Sequence, residues 1–181
     1  MSPVAEILQQ NANAEVAGSA GEELWRFALG YYALPGVAAA LVALQDGQRL
    51  DVSLALFAVW HGISGRGRLD RQQLAAGDRA IHEIRSAVIE PLRALRRRLK
   101  SSVDPDIERL REAVRALEIE AEKAALHRLA ANPAAPDAEA DRATRMAAAD
   151  ANLALCLGPG AVRSAEAAVI RDRLALLVAD Q

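Results

Sequence analysis

The sequence IEPLRALRRRLKSSVDPDIERL, residues 89–110, carries the clearest structural signal in the chain. It joins two segments whose apolar residues recur at spacings of three, four or seven. The first contains Leu74, Ile81, Ile84, Val88, Leu92, Leu95 and Leu99; the second contains Ile107, Leu110, Val114, Leu117, Ala121 and Ala125. This period is that of an α-helix with one apolar face. The pattern predicts a long antiparallel helical hairpin at about residues 70–131.

The hairpin contains two prolines, and we expect them to have different structural roles. Pro91 lies inside the first segment, where it removes an amide donor, but the apolar pattern continues in phase beyond it. We therefore expect a bend there and not an end. Asp104 and Pro105 have the order of a helix cap followed by a first-turn proline.

The hairpin is divided by charge. Residues 66–100 carry ten basic and four acidic residues, whereas residues 104–141 carry ten acidic and five basic ones. We expect Arg96 and Arg98 to flank the apolar seam and to reach Glu108 and Glu112. Arg93 and Arg97 then form a more outward patch, a candidate docking site for a protein partner. Binding of nucleic acid is not favoured, since no aromatic residues alternate with these arginines.

The remaining chain is also predicted to be helical. The pattern indicates helices at residues 21–34, 35–47 and 52–64, from about 137 to 157, and at 161–180. Residues 1–21 are expected to form a short helix and a polar linker. No strand pattern competes, so residues 22–181 are predicted to form one all-α domain, a helical bundle.

Composition narrows the function classes. The chain of 181 residues is 52% hydrophobic but only 3% aromatic, and its net charge of −2 gives no pull towards nucleic acid or an anionic membrane. A single cysteine, Cys156, suits a reducing compartment. The N-terminus lacks the basic region of a signal peptide, and no apolar run approaches the ~20 residues of a membrane span. These features indicate a soluble cytoplasmic protein with no membrane span.

Residues of the kind used in catalysis are scattered. His61, His82 and His127 have neither the spacing of a zinc site nor the Glu-x-x-His pair of a di-iron bundle. Cys156 lies among leucines and is expected to be a buried, inert thiol. The run Glu118, Glu120 and Glu122 is interpreted as a solvated face. We therefore predict no catalytic residue, no metal site and no cofactor.

The sequence WHGISGRGRLD, residues 60–70, is the best candidate for a site. Its glycines match neither a dinucleotide-binding motif nor a phosphate-binding loop, and they follow a predicted helix where both motifs require a strand. The favoured interpretation is a plain connection in which Gly62 or Gly65 adopts a left-handed conformation. The alternative is an anion site at the start of the next helix, capped by Asp70. Its candidate residues are Trp60, His61, Arg66, Arg68 and Arg71.

Residues 22–100 also resemble a known family. The resemblance is carried by a W-x-F-x-L-x-x-Y-x-x-P-G-V start from Trp25 to Val37, an L-Q-D turn at 44–46, and a helix from Asp51 to Trp60. A later P-L-R at Pro91 to Arg93 completes it. Ala55 departs from the family's leucine, which is a packing change. The chain thus resembles a family of uncharacterised bacterial proteins, a domain of unknown function, which implies a small helical protein and supplies no activity.

Two function classes stay open from the sequence. The first, favoured by the charged hairpin and the lack of catalytic residues, is a non-enzymatic interaction or adaptor protein with a protein partner or a second copy of itself. The second is a small-anion-binding bundle, or an unrecognised enzyme, with its site in the 60–71 loop.

Overall fold

The computed structural model describes residues 19–177, and these residues form helices with no strand among them. The all-α prediction is confirmed. The helices are α1 (Ala20–Tyr32), α2 (Val37–Gln48), α3 (Val52–His61), α4 (Arg71–Ile84), α5 (Glu90–Leu99), α6 (Pro105–Leu129), α7 (Arg142–Cys156) and α8 (Ala165–Leu177). Residues Gly62–Arg66 form a turn that is kinked at the left-handed Gly65, Arg85–Ile89 form a π-helical turn, and a 3-10 turn covers Ala161–Arg163.

Helix α3 lies at the centre of the core. Every residue from Leu54 to His61 is buried, because α7, α6 and α1 pack around it. The core is built mainly from leucine, alanine, valine and isoleucine, as the composition requires. Small side chains let these helices approach closely, and this central packing positions the chain that leaves the end of α3.

Three predicted helix starts are confirmed. Asp51, Asp70 and Asp104 each lie in an extended conformation and accept a hydrogen bond from a backbone amide in the first turn of the helix that follows. At Asp70 the side chain of Gln73 also accepts a hydrogen bond from the Asp70 amide, which completes a capping box.

Other boundaries differ from the prediction. Helix α2 begins at Val37 and not at Pro35, because Gly36 has a φ of 88°, which no residue within a right-handed helix adopts. Helix α7 begins at Arg142, since residues 133–141 form an irregular segment ahead of its cap, Asp141. The predicted helix 52–64 ends at His61, and residues 62–66 wind more loosely.

The helical backbone continues through Pro91, as expected, but the irregularity precedes the proline. The π-helical turn Arg85–Ile89 connects α4 to α5, and Pro91 then lies in the first turn of α5. A proline is tolerated there because its missing amide lies where the wider turn has already interrupted the regular hydrogen bonds.

The predicted division of the arginines by face holds for Arg96, which reaches the acidic helix α6, and for Arg97, which is exposed. It is wrong for Arg93. Arg93 points inward and binds Glu118 and Glu122 at 3.0 and 2.6 Å, and Arg96 also binds Glu118, at 2.5 Å. Glu118 is only 4% exposed, so residues 118–122 are not a solvated face as a whole. Arg96 thus pairs further along α6 than its predicted partners Glu108 and Glu112, and no ion pair of Arg98 is found among residues 19–177.

Two predictions concern the chain ends and the membrane. The predicted short helix and linker cover residues 1–21, and residues 1–18 of this segment lie outside the described part of the chain. Ser19 is the N-cap of α1. Within residues 19–177, no single helix is long and apolar enough to cross a bilayer. Helices α1 and α2 meet that length and composition only as a pair, across a bend of 100°.

Candidate anion-binding cleft

The turn after α3 is fixed by close backbone contacts. Gly65 has a φ of 81°, as the plain-connection interpretation expected of one of its two glycines, and its carbonyl accepts a 2.8 Å hydrogen bond from the amide of Asp137. Gly62 lies against α7, so a Cβ there would stand 2.3 Å from the backbone nitrogen of Ala149. The glycines therefore let the turn dock against α7 and the segment before it.

A buried asparagine holds the next part of the loop. Asn152 of α7 is fully buried, and its amide donates to the carbonyls of Ala58 and Gly67, both at 3.1 Å. Its side-chain oxygen accepts from the amide of Leu69 at 2.8 Å. The loop from α3 to α4 is thus bound to a helix far along the chain.

His61 belongs to this structural framework. Its side chain is buried, with Nδ1 3.2 Å from the Gly67 carbonyl. Burial lowers the pKa of His61, which favours the neutral ring with Nδ1 as donor. The residue supports the loop and does not provide a positive charge at neutral pH.

Arg66 is the central charged group of the site. Its guanidinium carbon lies 4.3 Å from the centroid of the Trp60 ring, and one terminal nitrogen donates to Glu23 Oε2 at 3.0 Å. The side chain is only 6% exposed. Its Nε is buried and has no acceptor among the described residues. A buried guanidinium with one bound carboxylate and an unused donor is costly without a further acceptor.

Arg66 lines an open cleft of about 870 Å³. The walls come from α1, the end of α3, the turn after it, the segment before α7 and the first turn of α7. The lining residues are Glu23, Arg26, Phe27, Gly30, Trp60, Ile63, Ser64, Arg66, Pro136, Ala140, Arg142 and Arg145. Four arginines and one carboxylate therefore face one cavity.

The other three arginines are held by backbone carbonyls. Arg145 Nε donates to Ala140 at 2.9 Å, Arg142 donates to Ala175 at 3.0 Å, and Arg26 donates to Glu22 at 3.4 Å. Each of these hydrogen bonds uses one of the five N–H donors of a guanidinium. Donors are thus left for an anion in the cleft, while neutral carbonyls leave the positive charges uncompensated.

The cleft includes part of the anion set predicted from sequence. Trp60 and Arg66 line it, whereas His61 is buried elsewhere, and Arg68 and Arg71 are exposed and do not contribute to its walls. Arg26, Arg142 and Arg145 were missed. The spacing of Arg142 and Arg145, three residues apart behind the cap Asp141, placed them on one face of a helix start, but nothing local indicated what they face.

The candidate docking arginines make contacts within the chain. Arg93 is engaged by Glu118 and Glu122, and Arg97, which is exposed, lies 3.1 Å from Asp46 of α2. Both therefore hold α5 against its neighbours, whatever further role they have.

A second cavity, of about 580 Å³, lies beside the ion pairs of Arg85 with Asp51 and Asp78. Its charges are matched within the cavity wall. Cys156 also lines it, and burial raises the pKa of this thiol to about 12, which keeps it protonated. In residues 19–177 no group of three or more His, Cys, Asp or Glu side chains is placed to hold a metal ion.

Comparison with known proteins gives a family and no activity. Residues 23–129 match the model of the family described as protein of unknown function, DUF2390. The chain belongs to the DUF2390 family. No curated protein and no solved structure matches the chain. The DUF2390 match confirms the resemblance to a domain of unknown function; it includes Arg26 and Arg66 of the cleft but ends before Arg142 and Arg145.

Proposed function

We propose that this protein binds a small anionic ligand in the cleft lined by Arg26, Arg66, Arg142 and Arg145. The observation that carries the proposal is the state of Arg66. Its guanidinium is almost fully buried, is stacked on Trp60, has one carboxylate partner, Glu23, and belongs to a residue that lines an open cavity. An anion in the cleft would add the negative charge that the wall lacks.

Electrostatics supports this proposal over a role of the cleft in packing alone. With four arginines against Glu23, the wall of the open cleft carries a net excess of positive charge. Like charges on one wall repel each other, and an anion bound between them relieves that repulsion. By contrast, Arg93, Arg96 and Arg97 of α5 are already matched by carboxylates of α6 and α2, so they offer less to an external partner.

The test is thermal unfolding with and without inorganic phosphate. At a phosphate concentration tenfold above Kd, binding to the folded state adds ~1.4 kcal/mol to the free energy of unfolding. For a protein of this size, we expect Tm to rise by about 3–6 °C. Replacing Arg26→Gln together with Arg142→Gln should abolish most of this rise, because both side chains are exposed and their loss leaves the core intact.

The matched control is Arg68→Gln with Arg71→Gln. These exposed arginines lie in the same region and carry the same total charge, but they do not line the cleft. They should retain the full phosphate effect. A wild-type protein that phosphate does not stabilise, or two double variants that lose the effect equally, would contradict the proposal.

The second candidate is the interaction function predicted from the sequence. One observation favours it: Leu110 and Leu117 lie seven residues apart on α6 and are 58% and 59% exposed, and Val103, in the chain just before this helix, is 98% exposed. Large apolar side chains aligned on one exposed helix face are typical of a protein interface.

A second copy of this chain fits that face. In an antiparallel pair of α6 helices, Leu110 of each copy can lie opposite Leu117 of the other, with the small, exposed Ala113 near the centre. Arg109 and Glu120 lie on the same flank of the helix, so this register brings them within about 3 Å of each other along the axis. The flanking charges are then complementary between copies.

Analytical ultracentrifugation tests this candidate. The wild-type protein should form a dimer, and Leu110→Glu with Leu117→Glu should be monomeric at the same concentration. Leu29→Glu, a charge placed at a comparably exposed leucine of α1, should leave the dimer intact. A wild-type protein that is monomeric at 100 μM would exclude self-association through α6.

A further inference from the structure

The size of the arginine cleft indicates a ligand larger than a simple inorganic anion. Its volume of about 870 Å³ lies in the range of ~300–1,000 Å³ that is typical of sites for organic ligands of moderate size. A four-oxygen anion would occupy a small part of it. The rest of the space must be filled by another part of the ligand or by water.

The wall is chemically divided. Beside the guanidinium groups, the cavity is lined by the apolar side chains of Phe27, Trp60, Ile63 and Pro136. Phe27 stacks on Tyr31 with ring centroids 5.4 Å apart, and Tyr31 is itself buried and hydrogen-bonded to the carbonyl of Ile170. The apolar part of the wall is therefore held against the core.

The charge of the wall indicates the class of anion. Four arginines against one carboxylate leave an excess larger than a single carboxylate ligand would neutralise. A phosphate monoester carries a charge of about −1.5 to −2 at pH 7, with three strongly accepting oxygens. Guanidinium groups bind such oxygens in a two-point geometry, which lysine cannot reproduce.

We infer that the ligand of this cleft is a phosphate monoester that carries a flat apolar or aromatic group. The phosphate lies among the guanidinium groups of Arg26, Arg142 and Arg145, close to Arg66. The ring packs against Phe27 and Ile63. This inference rests on the proposed anion-binding function and adds the organic part of the ligand to it.

Isothermal titration calorimetry with three small probes tests the inference. Phenyl phosphate should bind the wild-type protein at least tenfold more tightly than methyl phosphate, because only the former places a ring on the apolar wall. Benzenesulfonate, which has the same ring and a single charge, should bind at least tenfold more weakly than phenyl phosphate. The substitution Phe27→Leu should remove most of the advantage of phenyl over methyl phosphate and leave methyl phosphate unchanged.

The outcomes separate the two proposals. Equal affinities for phenyl and methyl phosphate would overturn the organic part of the ligand while anion binding stands. Equal affinities for phenyl phosphate and benzenesulfonate would overturn the monoester. Failure of every probe to bind a protein whose circular dichroism shows that it is folded would overturn the proposed function itself. Arg26→Gln with Arg142→Gln should weaken both phosphates by the same factor, since it removes charge and leaves the ring contact.

Discussion

Glu118 shows how one residue can set the relation between two helices. It is buried in α6, where it accepts hydrogen bonds from both Arg93 and Arg96 of α5. Burial raises the pKa of Glu118, but the hydrogen bonds from Arg96 and Arg93 together lower it by more than burial raises it. The pKa of Glu118 therefore lies below its ordinary value. The carboxylate is thus the charged centre of this interface.

We expect Glu118→Gln to lower the free energy of unfolding by about 2–3 kcal/mol, because it leaves two partly buried guanidinium groups without their shared carboxylate. Glu120→Gln is the matched control, since this neighbouring glutamate is exposed. It should change stability by less than about 0.5 kcal/mol. Urea unfolding at pH 7 measures both. Equal effects would mean that the buried pairing contributes nothing specific.

The lowered pKa of Glu118 also predicts a pH dependence. A carboxylate whose pKa is lower in the folded state stabilises the fold fully above its unfolded value of 4.5, and the contribution is lost as the pH falls towards the folded value. Wild type should therefore lose more stability than Glu118→Gln between pH 5 and pH 3. Glu122 opposes this trend, since burial raises its pKa, and in wild type the charge of Glu118 raises that pKa as well. Parallel pH profiles of the two proteins would contradict the assignment.

Among the helices, the contact of the turn after α3 with α7 is the most demanding. Gly62 meets the backbone of Ala148 and Ala149 with no space for a Cβ atom. The same contact places Trp60 and Arg66 opposite the start of α7, where Arg142 and Arg145 lie. The packing of two helices and the shape of the cleft thus depend on one missing methyl group.

We expect Gly62→Ala to destabilise the protein by about 3 kcal/mol or more, because backbone atoms of α7 cannot move aside as a flexible side chain can. Gly47→Ala provides the control: this glycine is helical, exposed, and has no atom within 4 Å of a built Cβ. It should stabilise by roughly 0.5–1 kcal/mol through helix propensity. Thermal unfolding followed by circular dichroism measures both, and a neutral Gly62→Ala would show that α7 can shift.

For the whole molecule, the fold class could be predicted because each helix has a signal in its own local sequence. Apolar periodicity and caps such as Asp51, Asp70 and Asp104 are properties of a few neighbouring residues, and the structure confirms them. The predicted helix boundaries were wrong where the conformation of a single residue overrides the local composition, as the left-handed Gly36 does at the start of α2. Periodicity also predicts an apolar face without saying which neighbour covers it.

The site was only partly predictable for the same reason. Trp60 and Arg66 stand in a conspicuous glycine-rich sequence, but Arg26 and Arg145 face them only because α1 and α7 pack around α3. The face of Arg93 was misassigned because its partner depends on how far α6 is shifted along α5. Neither the packing of α1 and α7 around α3 nor the shift of α6 along α5 can be predicted from a local sequence pattern.

The bond between Asn152 and Gly67 has a consequence for the order of events during synthesis. The two residues lie 85 positions apart, so at a translation rate of about 5–20 residues per second Gly67 is made some 4–17 s before its partner. During this interval the most apolar helix, α3, has no α7 to cover it. The apolar surface that α7 covers is therefore exposed during this interval, and the cleft can be completed only in the last part of translation.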